Sequence, residues 1–371
     1  MLKKNKGSIL LFTLLILSLI AFLTQQLFRS IWVGVNFDKR VVATQKARAL
    51  ALGGFNLAIS QLQERNAKEE EESRVGQKEN PEKRFKNFLS RILPNLNKWQ
   101  IFNLYKNIDG IDGQIKFCIT CEDGKININK AFDFEKQEFK KEYAELLKGL
   151  YIKRKFAEGE ILKKLTEFFK ERKNELSDVT ELIEIEGFEN LNVFYQPPQL
   201  PEKGKLAQPN DSIYLQDLFT TWSFDDKIEL LFASDSLCAI LNLRRPVAND
   251  AQKLKDKYRI LIENYKKNWG ADWEKNWNYL QPIFGAKPKT LNVLNKILAK
   301  EFGTQSYSVL SCGIIEGVEQ KVLAIIKVLD EKENKIEEIK QNKKKEAKDK
   351  DSEKKEKSNN KILKIVKMYW I

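Results

Sequence analysis

The segment from Ser8 to Leu23 carries no charge and is almost wholly apolar. With a helical rise of about 1.5 Å per residue and some extension past Thr24, it is as long as a bilayer core is thick. Such a run constrains everything after it, because a chain that begins in a membrane must fold beside one. Lys3, Lys4 and Lys6 precede the run, and cations of this kind hold their end in the cytoplasm. The expected topology is therefore a single pass through an inner membrane, N-terminus cytoplasmic, with the C-terminal domain in the periplasm. A cleaved secretory signal would end in small residues, whereas Thr24, Gln25 and Gln26 follow here. A plain signal anchor fits the same residues.

Beyond the apolar run, helical patterning continues through Ile31 to about Gln63. Ala43, Ala47 and Ala51 recur every fourth residue, and Gly54 and Ala58 extend a second small-residue row. Rows of this type let a helix backbone approach closely, either to a neighbouring helix or to the chain's own sheet. The charged run from Lys68 to Glu72 reads as a solvated loop.

The 371 residues suffice for two modest domains or for one domain with a large insertion. The formal net charge is +13, but much of the excess lies in the leader and in a lysine-rich tract near the C-terminus. That distribution weakens the case for a nucleic-acid partner. Histidine is absent, which excludes Ser-His-Asp and Cys-His centres and removes the commonest zinc ligand. No pair of carboxylates stands at a catalytic spacing, so the chain is not expected to be an enzyme.

Residues 114–121 place Ile115, Phe117, Ile119 and Cys121 on one face of a half-buried strand. Residues 122–124 form a turn, and extended structure resumes at 125–129. Helices are expected over 139–151, 160–172 and 178–184. The strand signal returns at 306–316 and 318–329, a hairpin around Gly317, with Val322, Ala324, Ile326 and Val328 on one face. Residues 330–360 are nearly all Lys, Glu, Asp and Asn and lack the apolar surface to order themselves. Residues 361–371 are far too apolar for a tail and read as a last strand.

The four cysteines are Cys118, Cys121, Cys238 and Cys312. Cys118 and Cys121 form half of a zinc ribbon with nothing to complete it. On one strand their Cα atoms lie about 10 Å apart, at about 3.3 Å per residue, and face opposite ways, so they cannot bridge each other. In an oxidising periplasm a Cys118–Cys312 disulfide competes with buried free thiols.

A short basic leader ending in glycine directly before an apolar helix resembles the type IV prepilin signal. That resemblance implies cleavage by a prepilin peptidase after Gly7 and methylation of the new N-terminus at Ser8. Pilin-like subunits usually carry glutamate at the fifth mature position, where Phe12 stands here. Its absence is similar to the K-type minor pseudopilin of the type II secretion system, also called general secretion pathway protein K. Residues 122–131 (EDGKININKA) resemble the strand leading into that family's helical insertion. Residues 178–189, with Asp178 as N-cap, resemble a step of its helical domain. Residues 218–222 and 227–242 resemble a further motif, although Glu229 and Phe232 replace the usual asparagine and threonine; Ser234 remains able to cap the helix that follows. The aromatic pair Tyr369 and Trp370 resembles the family's final strand.

The resemblance implies an α+β fold, with a long N-terminal helix on a small antiparallel sheet and a large all-helical domain inserted between strands. It divides the chain into a leader (1–7), the N-terminal membrane and amphipathic helix (8–66), and the first part of the pilin-like domain (67–130). The inserted helical domain (131–300) and the rest of the sheet (301–371) follow, the latter with a disordered loop at 330–360. The implied role is at the tip of the periplasmic pseudopilus, in the export of folded proteins. Implied partners are the I- and J-type minor pseudopilins, the prepilin peptidase and the inner-membrane secretion platform. Relatives of this type can bind calcium, and Asp109 with Asp112, or Asp225 with Asp226, offer hard oxygen ligands. Neither pair has EF-hand spacing, solvated turns are the competing reading, and no ligand is assigned. No other cofactor is expected. The alternative is a minor pilin of a type IV pilus or DNA-uptake system, in which residues 182–189 resemble a helix-hairpin-helix. Acidic neighbours and the single Gly187 argue against phosphate binding there.

Overall fold

The computed structural model describes residues 6–63, 81–148, 159–188, 214–223, 225–241, 243, 251–266, 269–285, 287–288, 291–301, 306–330 and 361–371. The expected loop at 68–72 and the lysine-rich tract at 331–360 lie outside these residues.

Helix α1 (Lys6–Leu62) spans 57 residues without a break, about 85 Å at 1.5 Å per residue. Helix α2 (Pro81–Ile92) begins on a proline, whose missing N–H costs nothing in a first turn. Strands β1 (Gln100–Leu104) and β2 (Gly113–Cys121) follow, then the short β3 (Ile126–Asn127), β4 (Phe132–Asp133), β5 (Glu138–Phe139) and β6 (Phe219–Thr220). Strands β7 (Ser306–Ile315), β8 (Val318–Asp330) and β9 (Lys361–Trp370) complete the set. One five-stranded sheet has the order β1-β2-β7-β8-β9, and every adjacent pair is antiparallel. Among the described residues the fold is therefore α+β, a long N-terminal helix laid on an antiparallel sheet.

The alternating residues are buried as expected, but β2 is not half-buried: Cys118 and Thr120 on its other face are buried too, as are Leu323 and Ile325 on that of β8. Ile115, Phe117, Ile119 and Cys121 all enter the main core, as do Val322, Ala324, Ile326 and Val328. The β7–β8 hairpin turns at Glu316 and Gly317, both at positive φ (49° and 78°), as a two-residue hairpin with matching twist requires. Residues 361–370 do form a strand, which pairs with β8 from Val322↔Trp370 to Asp330↔Lys361. Strand β1 was not expected; its five residues are mostly exposed, so they carry little apolar alternation.

The small-residue rows of α1 belong to the chain's own sheet. Ala43, Ala47, Ala51 and Ala58 are buried, and the helix packs chiefly on β7, β8 and β2. A Cβ on Gly54 would lie 2.4 Å from Ser311 Oγ, and one on Gly313 would lie 2.0 Å from the Ala47 carbonyl oxygen. Ser311 Oγ donates a 2.7 Å hydrogen bond to the Ala51 carbonyl. Side chains this small bring helix axis and sheet close enough for a strand hydroxyl to reach the helix backbone.

Between β2 and β7, which are neighbours in the sheet, the chain leaves at Cys121 and returns at Ser306, with Cys121 paired to Tyr307. The excursion is mainly helical: Lys141–Lys148, Glu160–Arg172, Asp235–Ile240, Ala251–Glu263 and Trp273–Phe284. The helix expected from Phe139 begins later, because Phe139 pairs with Phe132 between β4 and β5; residues 149–151 lie outside the described set. Phe132 stacks on Phe169 at 4.9 Å between ring centroids. Apolar side chains of the excursion and of the sheet form one continuous cluster, from Ala51 through Phe169 to Ile326. Gly124 seals the junction, since a Cβ there would stand 1.9 Å from the Phe232 carbonyl oxygen.

Gly313→Ala is expected to destabilise the protein by about 3 kcal/mol, the upper end for overpacking, because the added carbon meets backbone. Thermal melting of the detergent-solubilised protein should fall by several degrees relative to the same change at Gly53, where a Cβ meets only Ile115 Cδ1 at 3.9 Å.

Candidate membrane and assembly surface

The two halves of α1 differ in their surroundings. Every residue from 11 to 42 is exposed, whereas burial begins at Ala43. Phe12 keeps 66% of its surface, as do many of its apolar neighbours to a similar degree. No charge occurs between Gly7 and Arg29, so residues 8–28 offer about 31 Å of uncharged helix. This helix is long and apolar enough to cross a membrane, with a mean hydropathy of 2.0 in its best window. Its hydroxyls are satisfied within the helix: Ser18 donates to the Leu15 carbonyl at 2.8 Å and Thr24 to the Ile20 carbonyl at 2.7 Å. A hydrocarbon solvent therefore meets no unpaired hydroxyl at either position. Gly7 and Ser8 lie in the first helical residues of α1.

A second apolar stretch, Ile31, Trp32, Val33, Val35 and Phe37, is also exposed. It lies between Arg29 and the charged trio Asp38, Lys39 and Arg40, on the C-terminal side of the uncharged run. Exposed apolar surface of this extent marks a contact with lipid or protein.

The sequence-predicted calcium residues do other work. Asp109 Oδ2 accepts from the Tyr105 N–H and Asp112 Oδ1 from the Lys106 N–H, both at 2.8 Å, so they stabilise a one-turn helix. Asp226 lies 3.4 Å from Lys140 Nζ, and Asp225 Oδ1 accepts from the Asp226 N–H. Among the described residues, no group of three or more His, Cys, Asp or Glu side chains could hold a metal ion.

All four cysteines are buried and none is in a disulfide. Cys118 stands opposite Leu310 and Cys312 opposite Lys116. The two thiols are thus diagonal neighbours, separated by about 7–8 Å at the backbone, which exceeds the usual disulfide span. Of the two readings left open, the structure has buried thiols with no Cys118–Cys312 bridge. Burial raises the Cys118 and Cys121 thiols well above the ordinary range, and burial with nearby Glu319 pushes Cys312 up to about 12. None of these three is a reactive thiolate.

Residues 182–188 do not build the first half of a helix-hairpin-helix. Val179–Glu184 is a 3₁₀ turn, started by a capping box between Asp178 and Glu181, and Gly187 sits at φ 90°. Asp178 and Ser234 are the N-caps that the sequence indicates.

A buried ionic cluster at the mouth of the insertion was not legible in the sequence. Residues 122–124 read as a turn before extended structure resumes at 125, yet Glu122 and Lys125 are both almost fully buried and form an ion pair. Glu122 Oε2 also accepts from Thr220 Oγ1 at 2.5 Å, and Asp123 Oδ2 accepts from the Ser306 N–H at 2.9 Å. Both ends of the insertion are thereby tied together. Asp217 is fully buried and accepts from the Ser236 N–H at 2.6 Å. Burial, reinforced by Asp235, pushes its carboxyl up to about 6 despite the opposing Lys125.

This architecture, an exposed apolar half-helix continuous with a half-helix docked on an antiparallel sheet, is pilin-like. No protein-family model matches the chain, and no curated protein matches it. Among solved structures, the chain is similar to one in the GspK-GspI-GspJ complex from the enterotoxigenic Escherichia coli type 2 secretion system. The match has 12% sequence identity and a TM-score of 0.36, and covers 78% of this chain and 92% of that chain.

The Asp217 environment sets a direction for pH dependence. A carboxyl whose folded value is raised binds its proton more tightly in the native state, so its contribution is present at low pH and lost as pH rises through about 6. Melting measured from pH 5 to pH 7.5 is expected to show this decline, and Asp217→Asn, which keeps an acceptor for Ser236, should flatten it.

Proposed function

We propose that this chain is a minor pseudopilin of a type II secretion system, anchored in the inner membrane by residues 8–28 with its sheet and insertion in the periplasm. The observation that carries the reading is the single helix α1. Residues 8–28 are uncharged, residues 11–42 are exposed, and the rest of the helix from Ala43 is the spine on which the sheet is built. A subunit of this form is held in the bilayer before assembly and can be drawn out of it along its own helix axis. The exposed stretch Ile31–Phe37 then packs against neighbouring helices of a filament.

Prepilin peptidase is the proposed processing enzyme, cutting between Gly7 and Ser8 and leaving Ser8 as the methylated N-terminus. Phe12 at mature position five removes the carboxylate that would otherwise meet the N-terminal amine of an adjoining subunit. A buried carboxylate without that partner is costly, so a subunit with phenylalanine there suits the tip of a pseudopilus. The I- and J-type minor pseudopilins and the inner-membrane platform are the partners this reading requires, and export of folded proteins is the process served. The helical insertion, bulky beside the sheet, is accommodated most readily where nothing stacks above it.

Mass spectrometry of the N-terminus from cells with an active prepilin peptidase tests the reading directly. The mature chain is expected to start at methylated Ser8, and Gly7→Leu should abolish processing and secretion together. A native protein that retains residues 1–7 in such cells would refute the proposal.

A further inference from the structure

The insertion is joined covalently to the sheet only at two neighbouring points, Cys121 and Ser306. Two adjacent covalent attachments leave its orientation relative to α1 to its apolar packing on the sheet and to the polar contacts beside that packing. One such contact involves the edge strand β9, whose successive side chains point to opposite faces of the sheet. On one face, Tyr369 Oη donates to Asp178 Oδ2, and Lys367 Nζ lies 3.5 Å from the same oxygen. Lys367 also sits over the Trp222 ring, 5.4 Å from its centroid. Asp178 is no incidental acceptor, since its other oxygen caps the 3₁₀ turn through the N–H of Thr180 at 2.9 Å. On the opposite face, Trp370 lies under the guanidinium of Arg48 on α1, 5.4 Å from the ring centroid. Arg48 is braced by a 3.2 Å hydrogen bond from its Nε to Gln320 Oε1 on β8.

Adjacent residues of one strand thus grip two different bodies, the insertion through Tyr369 and the spine helix through Trp370. We infer that β9 is a clasp that couples α1 to the inserted helical domain and fixes the orientation of that domain, with Asp178 as the anchoring group. Burial acts to raise the Asp178 carboxyl, but hydrogen bonds from Tyr369 and Thr180, with Lys367 nearby, outweigh it and hold the group below the usual carboxylate range. The anchor is accordingly charged at neutral pH. Glu122, Lys125, Asp178, Trp222 and Tyr369 line one void of about 30 Å³, so this contact lies beside the ionic cluster at the junction. The two ties are neighbours that share no hydrogen-bond partner. The inference stands on these contacts whatever filament the protein joins.

Hydrogen exchange of the full chain in detergent micelles or nanodiscs tests it. Tyr369→Phe removes one hydroxyl and nothing else. It is expected to speed exchange of the amides of Glu181 and Ile185, in the turn that Asp178 caps, by about tenfold, as loss of a hydrogen bond to a charged group would. Amides of β8 from Leu323 to Val328 should stay protected. Trp370→Leu keeps the hydroxyl and should accelerate the same turn, because the strand transmits the loss of Arg48. Unchanged exchange at Glu181 and Ile185 in Tyr369→Phe would overturn the clasp. Equal deprotection of β8 would also overturn it, by showing that Tyr369 only holds the strand in the sheet. Acceleration by Tyr369→Phe without any from Trp370→Leu would overturn the coupling to α1.

Discussion

Close approach of α1 to the sheet is the contact on which the rest of the molecule depends. It is made by the absence of side chains: Ala47, Ala51, Gly54 and Gly313 leave room for Ser311 to reach the helix backbone. Each buried methyl contributes little by itself. Together they let one helix cover the central strands and supply a common wall for the sheet and the insertion, whose apolar residues form a single cluster with it. Because the same helix continues without a break into an uncharged, exposed half, whatever holds that half in lipid or in a filament also positions the folded part.

The insertion enters and leaves the sheet at neighbouring strands, so the polar groups at its base have a defined task. Glu122, Lys125, Thr220, Asp123 and Ser306 satisfy one another where the two chain ends meet, and a buried ion pair there is costly unless its remaining hydrogen bonds are made. Gly124 is required because Phe232 passes so near. A cluster of this kind adds little net stability, but it admits few alternative arrangements of the junction. The second tie, from β9 to Asp178, lies beside the first and leaves the insertion less freedom than the junction alone would.

Much of this was legible in the chain, for identifiable reasons. Period-two alternation in β2 and β8, and the apolar strength of residues 361–371, reported the strands because their alternating apolar residues enter one core. Asp178 and Ser234 were legible as caps because capping is a local matter of a short acceptor before a turn. Other features depended on pairing across long sequence separations. Cys118 and Cys312 fall on adjacent strands two residues out of register, and no local pattern sets register. Residues 122–125 look like a hydrophilic turn, and only the arrival of Thr220, Phe232 and Ser306 buries them.

The sequence alone determined that the chain begins with a membrane-length helix, continues along one helix into small-residue rows, and contains strands separated by a long helical excursion. Those properties follow from composition and periodicity, which act over a few residues. Tertiary structure decided what the small residues face, which strands are neighbours, and that the thiols stay unpaired. It also decided that the final strand grips both the spine and the insertion. The physical reason is the same in each case: these outcomes are fixed by which distant surfaces exclude water together, and that is a property of the packed chain rather than of any segment in it.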